Sequence, residues 1–220
     1  MPLKTYSGTG TTLSAAYYLR RFYSANTDAR TETSRSHLGS STLSSADALA
    51  LRKAVKALGS FTYDDDHDDN IRNSVSAFVS TYNHMLDSAA ESGDRTLQKT
   101  AKSLKNLTDT YADELDKIGI TVNSDGTLET RSSLFPSADI SKFEELFSSD
   151  SEYMQRVSSY TRRLESRSSD LVQIEKNQKL LREKEKNQSS TTAAAQIMAN
   201  RIDLDTLANT GIGSHINISL

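Results

Sequence analysis

Two consecutive stretches of this 220-residue chain carry apolar residues at steps of three and four, a period that confines them to helices buried along one face. The first starts near Asn70, with Ile71, Val75, Phe78, Val79, Tyr82, Met85, Leu86 and Ala89 in a stripe that Gly93 ends. The second places Leu97, Ala101, Leu104, Leu107, Tyr111, Leu115 and Ile118 between Asp94, a capping residue, and Gly119, a stop. Only Ser92-Gly93-Asp94 joins them, so the spacing predicts an antiparallel helical hairpin. Its expected core is Phe78, Val79, Tyr82, Leu86, Leu97, Leu104, Tyr111, Leu115 and Ile118.

After Gly119 the period changes. Ile120 and Val122 alternate with polar residues, Asn123-Ser124-Asp125-Gly126 supplies a turn, and Leu128 continues beyond it, which predicts a two-stranded ribbon near 119–130. An isolated ribbon is marginal in water, so this one must lean on helices. Further helices are expected at 44–58, through Ala46, Leu49, Leu51, Val55 and Leu58 to Gly59, and in "SADISKFEELF", ending near Phe147. From a cap at Ser149 or Asp150 a long helix follows. Its seam, Tyr153, Val157, Tyr160, Leu164, Leu171, Ile174 and Leu181, keeps a heptad-like spacing interrupted at Arg167 and Gln178. Its charge-dense end, "EKNQKLLREKEKNQ", reads as a solvated face.

These elements predict an all-α fold: an elongated antiparallel helical bundle or coiled coil with one small β-hairpin, its helical body spanning 44–188. Residues 1–43, rich in Ser and Thr, are expected to be largely flexible apart from two or three helical turns in "LSAAYYLRRFY". Residues 189–220 are expected to form a C-terminal tail with one more short helix. The hydrophobic share of 35% and mean hydropathy of −0.57 agree with helices that mostly face water.

Composition also excludes functions. With 29 acidic and 26 basic residues the formal charge is −3, an even mixture without the broad basic face that nucleic acid requires. No cysteine is present, which removes disulfides, thiol nucleophiles and cysteine-ligated zinc. No apolar run reaches signal-peptide or membrane-spanning length, so neither cleaved secretion nor membrane insertion is expected.

Candidate chemistry is thin. The acidic cluster at 64–69, "DDDHDD", reads as capping of the following helix in preference to a cation site, because adjacent ligands rarely converge on one ion. "TVNSDGTLETRS" has a calcium-loop look at Asn123, Asp125 and Gly126, but Thr121 and Ser132 stand where acids are needed. "SGTGTTL" lacks the lysine of a phosphate-binding loop. His37, His67, His84 and His215 form no zinc or triad pattern, and His84 reads as a packed or surface histidine. No catalytic, cofactor-binding or metal-ligating residue is assigned, no cofactor is called for, and the chain is read as a non-enzyme.

One ordered combination carries a resemblance. Phe78, Val79, Tyr82 and Asn83 on one helix, then Gly119-Ile120 leading into an Asp125-Gly126 hairpin, then a helix ending in Leu146-Phe147, resemble the C-terminal helical region of flagellar filament-capping proteins, also called hook-associated protein 2. The similarity covers about residues 71–185, and the first 70 residues depart from the family's N-terminal helix and β-rich outer domains. The resemblance implies a bacterial structural protein exported by the flagellar type III apparatus, with flagellin or other flagellar components as partners. It leaves open a reduced paralogue that keeps the stem or a relative using the module elsewhere. The alternative is a cytoplasmic helical adaptor or chaperone that binds a protein partner. In either case association, including self-association, falls to the seam on the long helix.

Overall fold

The computed structural model describes residues 12–209, without the side chains of 189, 190, 193, 194 and 199–209. It divides into two units, 1–173 and 174–220. The fold is all-α with one small β-hairpin.

The predicted helical hairpin is α4 (Asp68–Glu91) followed by α5 (Arg95–Thr110) and α6 (Ala112–Lys117), numbered after three earlier helices described below. Gly93 turns the chain at φ +68, and Asp94 Oδ1 accepts from Leu97 N at 2.8 Å, capping α5 as its side chain predicts. The single helix expected over 94–118 is broken at Tyr111. Just before the break, Thr108 and Thr110 return their hydroxyls to the carbonyls of Leu104 and Leu107, and such back-bonding bends a helix. Phe78, Val79, Tyr82, Leu97, Leu104, Leu115 and Ile118 are buried as expected, and Leu86 and Tyr111 are partly buried against them.

The ribbon is β1 (Ile120–Val122) paired antiparallel with β2 (Leu128–Thr130), with Val122 opposite Leu128. Gly126 N donates to Asn123 O at 2.8 Å and Gly126 itself has φ +84, the pattern of a turn closed by a left-handed glycine. The ribbon leans on α4 through its backbone as well as its side chains. Asn83 Oδ1 accepts from Leu128 N and Asn83 Nδ2 donates to Leu128 O, both at 2.8 Å, so one amide serves as a third strand. Ile120 and Leu128 close the core on the same side.

Helix α3 (Ser40–Leu58) begins four residues before the expected start at 44, because its serines are not loop. Ser41 and Ser44 are buried, and Ser44 Oγ donates to Ser88 O at 2.9 Å. Small polar residues of this kind let α3 approach α4 closely, and these two helices share the most extensive packing of any pair of elements described.

The expectation of a largely flexible segment over 1–43 does not hold for its described part. Helix α1 (Ala15–Phe22) and the short α2 (Glu32–Arg35) belong to the same core, with Tyr18, Phe22, Tyr23, Ala29 and Arg35 buried. The aromatic island was legible; what fixes the residues after it is a buried polar network that composition does not reveal. Residues 1–11 lie outside the described part. Helix α7 (Ile140–Phe147) adds Phe143 and Phe147, which continue a run of ring contacts from Phe78 through Phe147 to Tyr153 and Tyr111 at centroid distances of 5.6, 6.3 and 5.0 Å.

Candidate association surface

Helix α8 (Glu152–Asn209) carries the predicted seam. Its cap is Ser151, whose Oγ accepts from Met154 N at 3.0 Å, one or two residues beyond the expected Ser149 or Asp150. The helix runs on through the short tail helix expected after 189, and the part of that tail over 210–220 lies outside the described residues.

The seam residues fall into two groups. In the first unit Tyr153, Val157 and Leu164 are buried in the chain's own core, and Tyr160 and Leu171 are partly buried against it. Thr161 and Ser168 are fully buried there as well, although the heptad pattern leaves them off the seam. A straight helix drifts by roughly 20° per heptad from a 3.5-residue repeat, which brings these neighbours round and leaves Tyr160 at the edge. Arg163 lies over the exposed side of its ring at 5.7 Å.

Arg167, which interrupts the seam, has a defined partner. Its Nε donates to Asp94 Oδ1 at 3.0 Å and its Nη2 to Asp94 Oδ2 at 2.5 Å, a two-pronged pairing onto the residue that caps α5. The Arg167 contact, followed by the α5 cap, holds the Asp94 carboxyl at about 2. Arg52 pairs with Glu165 on the preceding turn of α8.

In the second unit the seam is uncovered. Ile174 is 44% exposed and Leu181 59%, with Leu180 beside it at 54%. Every side chain from Gln173 to Gln188 is exposed. The seven seam residues are therefore one sequence pattern with two fates: an intramolecular part ending near Leu171 and an unpartnered part at Ile174 and Leu181.

A second cluster was not legible in the sequence. Asp47 on α3 is fully buried and receives both prongs of Arg35, Nη1 to Oδ1 at 2.7 Å and Nη2 to Oδ2 at 2.9 Å. Arg35 Nη1 also donates to Ala29 O at 2.6 Å. Tyr23 donates its hydroxyl proton to Asp47 Oδ1 at 2.7 Å. With that proton committed, the Tyr23 oxygen must accept from His84 Nδ1 at 2.9 Å, which fixes the imidazole tautomer. Burial and then the Asp47 charge push the Tyr23 hydroxyl far above its usual range, so it stays a donor. Burial, followed by the Arg35 charge, holds His84 below its ordinary value. The groups satisfy one another and lock α2 and Tyr23 against α3 and α4. Residues separated by so many positions, with no shared period, leave no signal in one sequence.

The acidic cluster is used locally. Asp64 Oδ1 accepts from His67 N at 3.0 Å and lies within 2.5 Å of His67 Nδ1, and Asp68 pairs with Arg72. Among the described residues no group of three or more His, Asp or Glu is arranged to hold a metal ion. Within the same residues no helix is long and apolar enough to cross a membrane. Comparison with models of known protein families, with curated proteins and with solved structures finds no match.

Proposed function

We propose that this chain is a non-enzymatic assembly protein that works by helix-mediated association, with a second copy pairing along the α8 seam at Ile174 and Leu181. The observation that carries this reading is the exposure of those two residues, together with Leu180, with no apolar cover from the described residues. Helices in water draw most of their stability from packing an apolar face, so such a segment is completed by another helix. Gln178 stands at the seam position between Ile174 and Leu181, and a single polar residue there selects register and limits affinity. Charges of both signs flank the seam, which avoids strong repulsion between copies.

The resemblance to flagellar filament-capping proteins points the same way, since those assemble through helical segments, and it makes a filament tip reached by type III export the proposed setting. Absence of the protein from both the filament fraction and the culture medium of flagellated cells would remove that setting while leaving the association untouched.

Because the chain has no cysteine, association can be read by single-site cross-linking. Gln178→Cys on the seam should give a disulfide-linked dimer under mild oxidation, whereas Lys176→Cys on the outer face should not. Equal yields at both positions, or none at either, would argue against an in-register seam.

A further inference from the structure

Two neighbouring clefts at the C-terminal end of α3 carry cations without acids. One, of about 770 Å³, is bordered by Arg52, Lys56 and Arg162 and floored by Val55 and Met154. The other, of about 480 Å³, is bordered by Arg21, Lys53 and Lys56 and floored by Tyr18, Phe22 and Phe61. Lys56 and Ser60 border both, so the clefts form one surface of two lobes. Among the described residues no carboxylate lines either lobe. Glu165 neutralises Arg52, but Arg21, Lys53, Lys56 and Arg162 have no ion-pair partner among the described residues. In a chain of net charge −3 such a concentration is local, and other clefts differ: the one beside His84 is bordered by Glu32, Asp87 and Glu91.

We propose that these two lobes form one docking site for an acidic protein segment that carries apolar side chains between its carboxylates. Charge complementarity selects the acidic groups, and the two apolar floors reward side chains that a bare polyanion lacks. The cations sit on three helices, α1, α3 and α8, and are divided between two lobes that share only Lys56 among them. A single phosphate is bound by converging donors, and a nucleic acid needs a longer basic track than two lobes give. The site is independent of the α8 seam and does not need the association proposed above.

The test is fluorescence anisotropy of the intact protein with a labelled peptide of alternating glutamate and leucine. Binding should saturate and weaken as salt rises. Lys56→Glu, at the residue shared by both lobes, should weaken it by about tenfold, and Arg21→Glu or Arg162→Glu should each weaken it less. All three side chains are exposed, so the fold should survive, as circular dichroism will verify. Leu181→Asp, which addresses the α8 seam, should leave peptide binding unchanged. The proposal is overturned by a peptide that never saturates, by a Lys56→Glu protein that binds as well as the original, or by tighter binding of phosphatidylserine vesicles or a single-stranded oligonucleotide than of the peptide.

Discussion

Asn83 and Leu128 are joined by two hydrogen bonds: the Asn83 side-chain amide accepts from Leu128 N and donates to Leu128 O, each at 2.8 Å. A helix side chain thereby completes the open edge of a two-stranded ribbon. Leu128 is only 2% exposed and Asn83 half-buried, so water cannot readily take the place of the Asn83 amide on the Leu128 backbone. Asn83→Ala should cost roughly 1–3 kcal/mol, the penalty for leaving a buried backbone group unpaired, and should speed hydrogen exchange at Leu128 first. Asn83→Asp keeps the acceptor but loses the donor, and should also destabilise. Unchanged thermal midpoints in both variants would show that the ribbon holds itself.

The Arg35–Asp47 pair gives a second prediction. Asp47→Ala strands a guanidinium that is 7% exposed and should cost about 3–5 kcal/mol. Replacing both partners, Arg35→Met with Asp47→Leu, should be milder than the single change, because no charge is left buried. Denaturant unfolding of the three proteins decides it. A single variant milder than the double would mean that Arg35 finds water or another acid.

Helices α4 and α5, their Gly93-Asp94 connection, the hairpin and the apolar seam of α8 were legible because each is written in local periodicity and turn chemistry. The start of α3 at Ser40 and the ordering of residues 12–43 were not, since Ser41, Ser44, Arg35 and Asp47 look solvent-facing in sequence and are buried only because distant residues satisfy them. The division of the seam was illegible for a related reason: Leu171 and Ile174 have the same chemistry, and only the tertiary packing of the first unit distinguishes them.

Acid should weaken the fold in two separate windows. His84 lies below its ordinary 6.5 in the folded chain, so its neutral form is the stabilising one. That contribution is complete above 6.5 and is lost as the pH falls through the lower folded value. Asp94 is lowered from 3.8 to about 2, so its contribution is complete above 3.8 and is lost as the pH falls towards 2. Asp94→Asn should shrink the lower window, to which the likewise lowered Asp64, Asp125 and Asp139 also contribute, and leave the upper one. An NMR titration that placed the His84 midpoint above 6.5 would reverse the first assignment.

Two glycines with similar backbone angles should respond differently to alanine. Gly93 has φ +68 with open space around it, so Gly93→Ala carries only the left-handed penalty, about 1–2 kcal/mol. Gly119 has φ +78, and an added Cβ would lie 2.4 Å from Phe135 N and 2.8 Å from Phe135 Cα, a backbone that cannot swing aside. Gly119→Ala should therefore lower the thermal midpoint markedly more than Gly93→Ala. Equal shifts would mean that the segment at Phe135 yields.

The division of the α8 seam between an internal and an intermolecular part is tested most directly by sedimentation equilibrium of the intact protein over a wide concentration range, beside an Ile174→Asp/Leu181→Asp variant. Leu171 is unsuitable for this purpose because it packs partly against the chain's own core. The average mass of the original protein should rise with concentration towards that of a dimer. The variant should remain a monomer, and its first unit should keep its thermal midpoint, since Ile174 and Leu181 are exposed side chains of the second unit. A strict monomer at every concentration for both proteins would contradict copy-to-copy pairing, and a variant that associates as the original does would contradict the seam.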